Sequence, residues 1–250
     1  MNFSEPGPRE LYDGPIVLFD IPAPTAFTIL AGIGTLFWIG AYLLVIRKGF
    51  QDRTFGMPIV ALCANISCEA IFSFVYPAEG LLRLSNYAWL AIDLAILTQI
   101  LRFAPVEFPD RKRYAVWAQV ALGIVIAGWC QIAFIEEFGD YGGAYTIYGV
   151  NLVMSAAFVA MVQHRRSSRG QSMAIAIAKM TGTALFSLTL FLFSRDDFAR
   201  GGLLTFLYVA CFVLDLMYCV ILRRRITTER EHPAEPDAAP RPAATASATS

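Results

Sequence analysis

The sequence predicts an all-α fold: a polytopic membrane bundle of seven transmembrane helices, with the N-terminus outside and the C-terminus cytoplasmic. Hydrophobic residues make up 56% of the 250-residue chain and charged residues 16%, with a mean hydropathy of +0.53. That balance belongs to membrane proteins rather than to soluble domains. Apolar runs long enough to cross a hydrocarbon core recur along the chain, and Lys and Arg fall in every second connection between them.

The N-terminal segment, residues 1–24, carries Glu5, Glu10, Asp13 and Asp20 and is read as extracytoplasmic. It lacks a basic start, a short apolar core and a small-residue cleavage site, so the first span is expected to stay as an anchor. That span is placed at residues 25–46 and is followed by Arg47, Lys48 and Arg53. The second is placed at 57–76. The third, at 87–101, is the shortest, and Arg102, Arg111, Lys112 and Arg113 follow it. The fourth, at 114–135, leads into the acidic Glu136, Glu137 and Asp140. The fifth, at 144–162, leads into Arg165, Arg166 and Arg169. The sixth, Met173–Phe193, precedes Asp196 and Asp197, and the seventh, at 202–222, ends in Arg223, Arg224 and Arg225. Positively charged connections are retained in the cytoplasm, which sets the orientation of a multi-pass protein of the cell membrane. Residues 25–225 are thus expected to form one seven-helix transmembrane domain. Residues 226–250, rich in Pro, Ala, Thr and Ser, are expected to be a disordered cytoplasmic tail.

A formal net charge of zero leaves no basic surface for nucleic acid. The expected surroundings are a lipid bilayer. Cys63, Cys68, Cys130, Cys211 and Cys219 all fall inside spans without metal-pair spacing and are read as packing residues. His164 and His232 lie in a loop and the tail. The clusters Glu136-Glu137-Phe138-Gly139-Asp140 and Asp196-Asp197-Phe198-Ala199-Arg200 resemble magnesium-binding carboxylate spacing. Both sit in outward loops and the second ends in Arg200, so no metal and no cofactor is expected.

Ionisable groups at membrane depth mark function by default. They are Glu69 in the second span, Asp93 in the third, Lys179 in the sixth and Asp215 in the seventh. Asn65, Gln99, Gln119, Gln131 and Asn151 add amides, most of them read as interhelical hydrogen-bonding groups. Counting from the span ends puts Glu69, Asp93 and Asn151 in an outer layer and Asn65, Lys179 and Asp215 in an inner one. Asn65 and Glu69, four apart, share a helix face. A carboxyl in low dielectric favours its neutral form unless a cation faces it. No cation neighbours Glu69, which therefore suits a proton donor, whereas Lys179 is expected to lie at the depth of Asp215 and to form a structural ion pair with it.

The segment GMPIVALCANISCEAIFSFVYP, residues 56–77, resembles the signature of the small integral-membrane terpene cyclases of fungal meroterpenoid and indole-diterpene pathways and of bacterial relatives acting on prenylated indoles. Its Met-Pro opening, Asn65, Glu69 four residues on, and Tyr-Pro end carry the resemblance. The stretches around Asp93, Asn151, Lys179 and Asp215 extend it to about Arg225. One departure is Cys68, where an aromatic residue is expected before the Glu.

The resemblance implies a proton-initiated terpene cyclase of the isomerase or lyase type, needing no metal. It would protonate a terminal epoxide or alkene of a prenylated, meroterpenoid or indole-type substrate and guide the carbocation to ring closure. It further implies Glu69 and Asp215 as the catalytic acids. Asn65, Asp93 and Asn151 are expected to line the substrate site, and Phe72, Trp89 and Phe212 to face the cation, each within about one helical turn of a buried acid. Tyr76, Tyr87, Tyr114 and Tyr141, near span ends, read as interfacial anchors. A retinal-type receptor would want its lysine in the last span rather than at Lys179. A proton-coupled transporter using Glu69 and Asp93 remains the alternative, although no sequence repeat supports it.

Overall fold

The computed structural model describes residues 15–16, 21–77, 80–194 and 197–232. Seven helices account for nearly all of them: α1 (Ala23–Gln51), α2 (Ile59–Ala70), α3 (Gly80–Glu107), α4 (Arg113–Phe138), α5 (Ala144–Arg165), α6 (Met173–Phe193) and α7 (Gly202–Glu231). A two-residue antiparallel pairing of Pro15–Ile16 with Ile21–Pro22 precedes α1. Six of the helices are long and apolar enough to cross a membrane.

The short one is α2. Pro58 stands at its N-cap, where a missing N–H costs nothing. It converts after Ala70 into a π-helix, Ile71–Val75, and Pro77 follows closely. The third span, expected to be the shortest, is instead a 28-residue helix. Arg83, Asn86 and Arg102 interrupt its apolar window but not its helical geometry, because polar side chains at helix ends reach water without breaking backbone bonds. α4 stops at Gly139, whose φ of +66° closes the last turn with its N–H on Ile135 O. Ser172 caps α6 by accepting from Ile175 N at 3.3 Å. α7 continues through residues 226–231 of the expected tail. The remainder of that tail lies outside the described residues, as do most of the N-terminal segment, Asp196 and the side chain of Asp197.

Six helices close a ring. α1 packs on α6 and α3, α3 on α2, α2 on α5, α5 on α7, and α7 on α6, while α4 lies outside against α2. Large apolar side chains such as Leu36, Leu43, Val60, Leu122, Val125, Trp129 and Val213 face outward, whereas Asn65, Asp93, Asn151, Lys179 and Asp215 are buried. Polar groups inside and an apolar exterior are what a hydrocarbon surrounding selects.

The ends of α1, α3, α5 and α7 meet at one end of the bundle. Arg165 donates to Phe55 O at 3.1 Å and to Glu107 Oε2 at 2.9 Å, and its guanidinium lies 4.5 Å from the Phe55 ring centroid. Thr54 donates to the same Glu107 carboxylate. Asp52 accepts from Gly170 N at 2.7 Å, and Glu229 of α7 accepts from Ser168 N at 2.8 Å. Gly170, with φ +75°, permits this approach, since a Cβ there would stand 2.8 Å from Thr54 Cγ2. The connections rich in Lys and Arg thus share one face.

Candidate active site

Two buried polar networks face each other inside the ring. The first joins α1, α2 and α3. Asn65 Nδ2 donates to Asp93 Oδ2 at 2.6 Å and lies 2.9 Å from the Tyr42 hydroxyl. Asp93 is fully buried, and its Oδ1 has no partner among the described residues. Glu69, one turn along α2 from Asn65, is half-buried. No cation and no hydrogen-bond donor meets its carboxyl among the described residues. The π-helix begins two residues further on, widening α2 beside Glu69, and such bulges occur often at functional sites.

The second network joins α5, α6 and α7. Lys179 Nζ donates to Asp215 Oδ1 at 2.6 Å, to Ser155 Oγ at 2.7 Å and to Asn151 Oδ1 at 3.4 Å. Asn151 Nδ2 in turn donates to Thr183 at 3.3 Å. Oδ2 of Asp215 has no hydrogen-bond partner among the described residues. The expected Lys179–Asp215 pair is present.

Aromatic rings connect the networks. Lys179 Nζ is 5.6 Å from the Trp38 ring centroid, Trp38 is 5.8 Å from Tyr42, and Tyr42 meets Trp89 edge-on at 5.3 Å. This arrangement corrects the expected outer and inner layers. Asn65 bonds to Asp93 and Asn151 to Lys179, so the polar groups divide side by side, by neighbouring helices. Counting along single helices says nothing of lateral neighbours.

With two acids, a buried ion pair and an aromatic bridge in place, comparison with known proteins becomes decisive. The sequence profile of the Pyr4-like transmembrane terpene cyclases matches residues 20–226. The chain belongs to that family. Terpene cyclase macJ of Penicillium terrestre is 32% identical over 170 residues, 64% of this chain and 63% of that protein, so the chain spans a little under two thirds of that relative. Terpene cyclase pyr4 of Aspergillus fumigatus is 28% identical over 222 residues, 81% of this chain and 90% of that protein. Asnovolin H synthase nvfL of Aspergillus novofumigatus is 23% identical over 158 residues, covering 60% of this chain and 64% of that protein. No solved structure matches the chain.

Within this family member, the residues singled out in the sequence fall into distinct positions. Glu69, Asn65 and Asp93 gather on one side, Asn151, Lys179 and Asp215 on the other, with Trp89 behind Tyr42. Phe72 is packed among Cys68, Ile71, Ile135 and Val150, pressed against Gly143, where a Cβ would stand 2.4 Å from its Cζ. Phe212 does not face Asp215: its ring is 42% exposed. The buried stripe of α7 runs through Leu204, Leu207, Cys211, Asp215 and Tyr218, and one residue past Cys211 turns about 100° away from it. Gln99 and Gln131 donate to backbone carbonyls, at Ile46 and Ala64. Asp140, from the acidic loop, accepts from Thr146 N at 2.7 Å and Tyr145 N at 3.3 Å, capping α5. Tyr76 and Tyr141 both donate to Glu136 in the same region.

Sequence reasoning missed Trp38, Tyr42, Ser155 and Thr183. Ser155 and Thr183 lie four residues from Asn151 and Lys179, so the helical spacing around each buried ion held the signal. Tyr42 lies well inside its span rather than at an interface, which is itself a signal of an interior hydroxyl.

Proposed function

We propose that this terpene cyclase acts on a prenylated, meroterpenoid or indole-type substrate by protonating its terminal epoxide or alkene, without a metal. Glu69 gives up its O–H proton. With an epoxide, the proton goes to the ring oxygen and a C–O bond breaks; with an alkene, it goes to the terminal carbon. Either way a carbocation forms, the next π bond closes a C–C bond onto it, and the final cation loses a proton to a base. Initiation and termination balance, so the product is an isomer of the substrate.

The observation that carries this reading is the unequal setting of the two family acids. Asp215 is held by Lys179 at 2.6 Å, whereas Glu69 meets no cation among the described residues and only a second carboxyl nearby. A carboxyl so placed keeps its proton, as a donor must. Asp215, with Oδ2 free, supports the reaction by contributing negative charge near the moving cation. Asn65, Asp93, Asn151, Phe72 and Trp89 form the surrounding wall in this reading, and Phe212 is left to the lipid. The enzyme sits in the cell membrane with its N-terminus outside and the end carrying Arg165 in the cytoplasm, supported by the gathering of basic connections at one end.

The test is conversion in detergent. Purified enzyme is incubated with farnesylated indoles with and without a terminal epoxide, and products are examined for unchanged mass and added rings. Turnover without any gradient is expected. Transmembrane uptake in sealed vesicles with no conversion in detergent would instead make the chain a transporter.

A further inference from the structure

We propose that the indole of Trp38 is a further cation-contacting residue of the cyclisation, placed by Gly182 of α6. The inference rests on the cyclase reading above and adds a residue that the acids alone do not supply.

Trp38 touches both halves of the site. Its ring stacks at a tilt on Tyr42, whose hydroxyl belongs to the Asn65–Asp93 network, and its face lies 5.6 Å from the ammonium of Lys179 in the other network. Beside it is a small void of about 10 Å³, lined by Trp38, Tyr42, Met57, Met154, Phe158 and Lys179. Apart from the ammonium and the tyrosine hydroxyl, those walls are aromatic rings, thioethers and hydrocarbon. They present several polarisable groups to accompany a carbocation. The void marks where α1, α5 and α6 leave room.

The ammonium would repel a carbocation if it stood alone. Asp215 at 2.6 Å cancels most of that field, and both side chains are sealed from water. What remains toward the void is the quadrupole of the indole, the strongest π face among the side chains. That the ring already accepts a cation at cation–π distance shows that its face, rather than its edge, is offered to positive charge.

Gly182 is the reason the indole sits there. A Cβ at that position would lie 2.6 Å from Trp38 Cδ1, closer than Cβ atoms come to a neighbour, and 3.0 Å from Nε1. Among the described residues no acceptor meets the indole N–H, so packing against Gly182 sets the ring's position. Gly182 also lies three residues from Lys179 on the same helix, which ties the ring to the ion pair.

The experiment compares purified wild type, Trp38→Leu, Trp38→Phe, Gly182→Ala and Gly182→Ala/Trp38→Phe in detergent. The probes are a farnesylated indole with a terminal epoxide and its alkene counterpart, with products separated by ring number. Trp38→Leu should lower kcat by about tenfold or more, the rate equivalent of one desolvated cation–π contact, and shift products toward fewer rings with little change in KM. Trp38→Phe should keep most turnover with a smaller shift. Gly182→Ala should resemble Trp38→Leu, and the double variant should recover activity over Gly182→Ala because the smaller ring clears the methyl group. The ring distribution is the deciding readout, because a merely structural role would lower turnover without moving it. Wild-type kcat and ring distribution in Trp38→Leu would overturn the proposal. If that variant fails to fold, an unchanged ring distribution in Trp38→Phe overturns it. A wild-type enzyme that converts neither probe overturns the cyclase reading for these substrates, and this inference with it.

Discussion

Lys179 and Asp215 form an ion pair at 2.6 Å with 2% and 0% of their side chains exposed, and one oxygen of Asp215 is left without a partner among the described residues. Two charges in a low-dielectric interior tolerate each other's presence better than either tolerates solitude. Lys179→Met is expected to destabilise the purified protein by about 3–5 kcal/mol, as loss of one partner of a buried pair does. The double change with Asp215→Asn should cost much less than the sum of the two single changes. Thermal unfolding in detergent over the four proteins gives the coupling, and strict additivity would sink the pairing.

Asn65 is a bridge with one amide group serving two oxygens. Its Nδ2 lies 2.6 Å from Asp93 Oδ2 and 2.9 Å from the Tyr42 hydroxyl. Asn65→Leu should therefore leave a buried carboxyl and a buried hydroxyl unmatched, lowering stability by about 2–4 kcal/mol. Tyr42→Phe removes only one partner and should cost about 1 kcal/mol. Equal losses in the two variants, measured by thermal unfolding, would show that the Asp93 bond contributes nothing.

Arg165 ties three connections together through Phe55 O, Arg169 O and the Glu107 carboxylate. Its planar fork serves several acceptors at once, which Lys does not reproduce. Arg165→Lys is expected to lower stability by about 1–2 kcal/mol and Arg165→Ala by about 2–3 kcal/mol, with kcat nearly unchanged because the cluster lies at the end of the bundle. A large fall in kcat at unaltered stability would place this end in the reaction.

The helices and their order were legible because hydrocarbon thickness and backbone satisfaction leave few alternatives. Glu69, Asp93, Lys179 and Asp215 stood out because ions at membrane depth are rare. Less legible was what brings them together. Trp38 and Tyr42 lie in a helix whose surface shows no polar stripe, so nothing in its sequence tells the face turned to α6 from the face turned to lipid. Phe212 illustrates the same gap: proximity in sequence to Asp215 did not decide which way its ring points, because that depends on how α7 packs on α5 and α6. The π-turn after Ala70 was equally hidden, since no residue type demands it.

Orientation is tested by single cysteines introduced in a background lacking Cys130, the one exposed native cysteine. The Arg165–Arg169 connection packs with the ends of α1, α3 and α7, so these parts share a side. With the Lys and Arg pattern placing that side in the cytoplasm, an impermeant maleimide added to intact cells should modify Gly139→Cys and spare Ser168→Cys. The reverse pattern would invert the bundle.

The last prediction concerns the initiating proton. Glu69→Gln keeps the size and polarity of the side chain and removes the transferable proton, so cyclisation should vanish while expression and thermal stability stay near those of wild type. Glu69→Asp withdraws the acid by about one methylene, and because reacting groups must meet within an ångström or so, about a hundredfold loss is expected rather than none. Asp93→Asn separates the two carboxyls. If Asp93 only supports Glu69, the variant should retain measurable turnover. With an alkene substrate in deuterated water, product should gain one deuterium at the terminal carbon, since the entering proton comes from an exchangeable acid and the departing one from a C–H bond. With an epoxide the deuterium ends on a hydroxyl and washes out. Wild-type turnover by Glu69→Gln, with deuterium still entering at the terminal carbon, would move the acid to Asp93, the only other carboxyl in the first network.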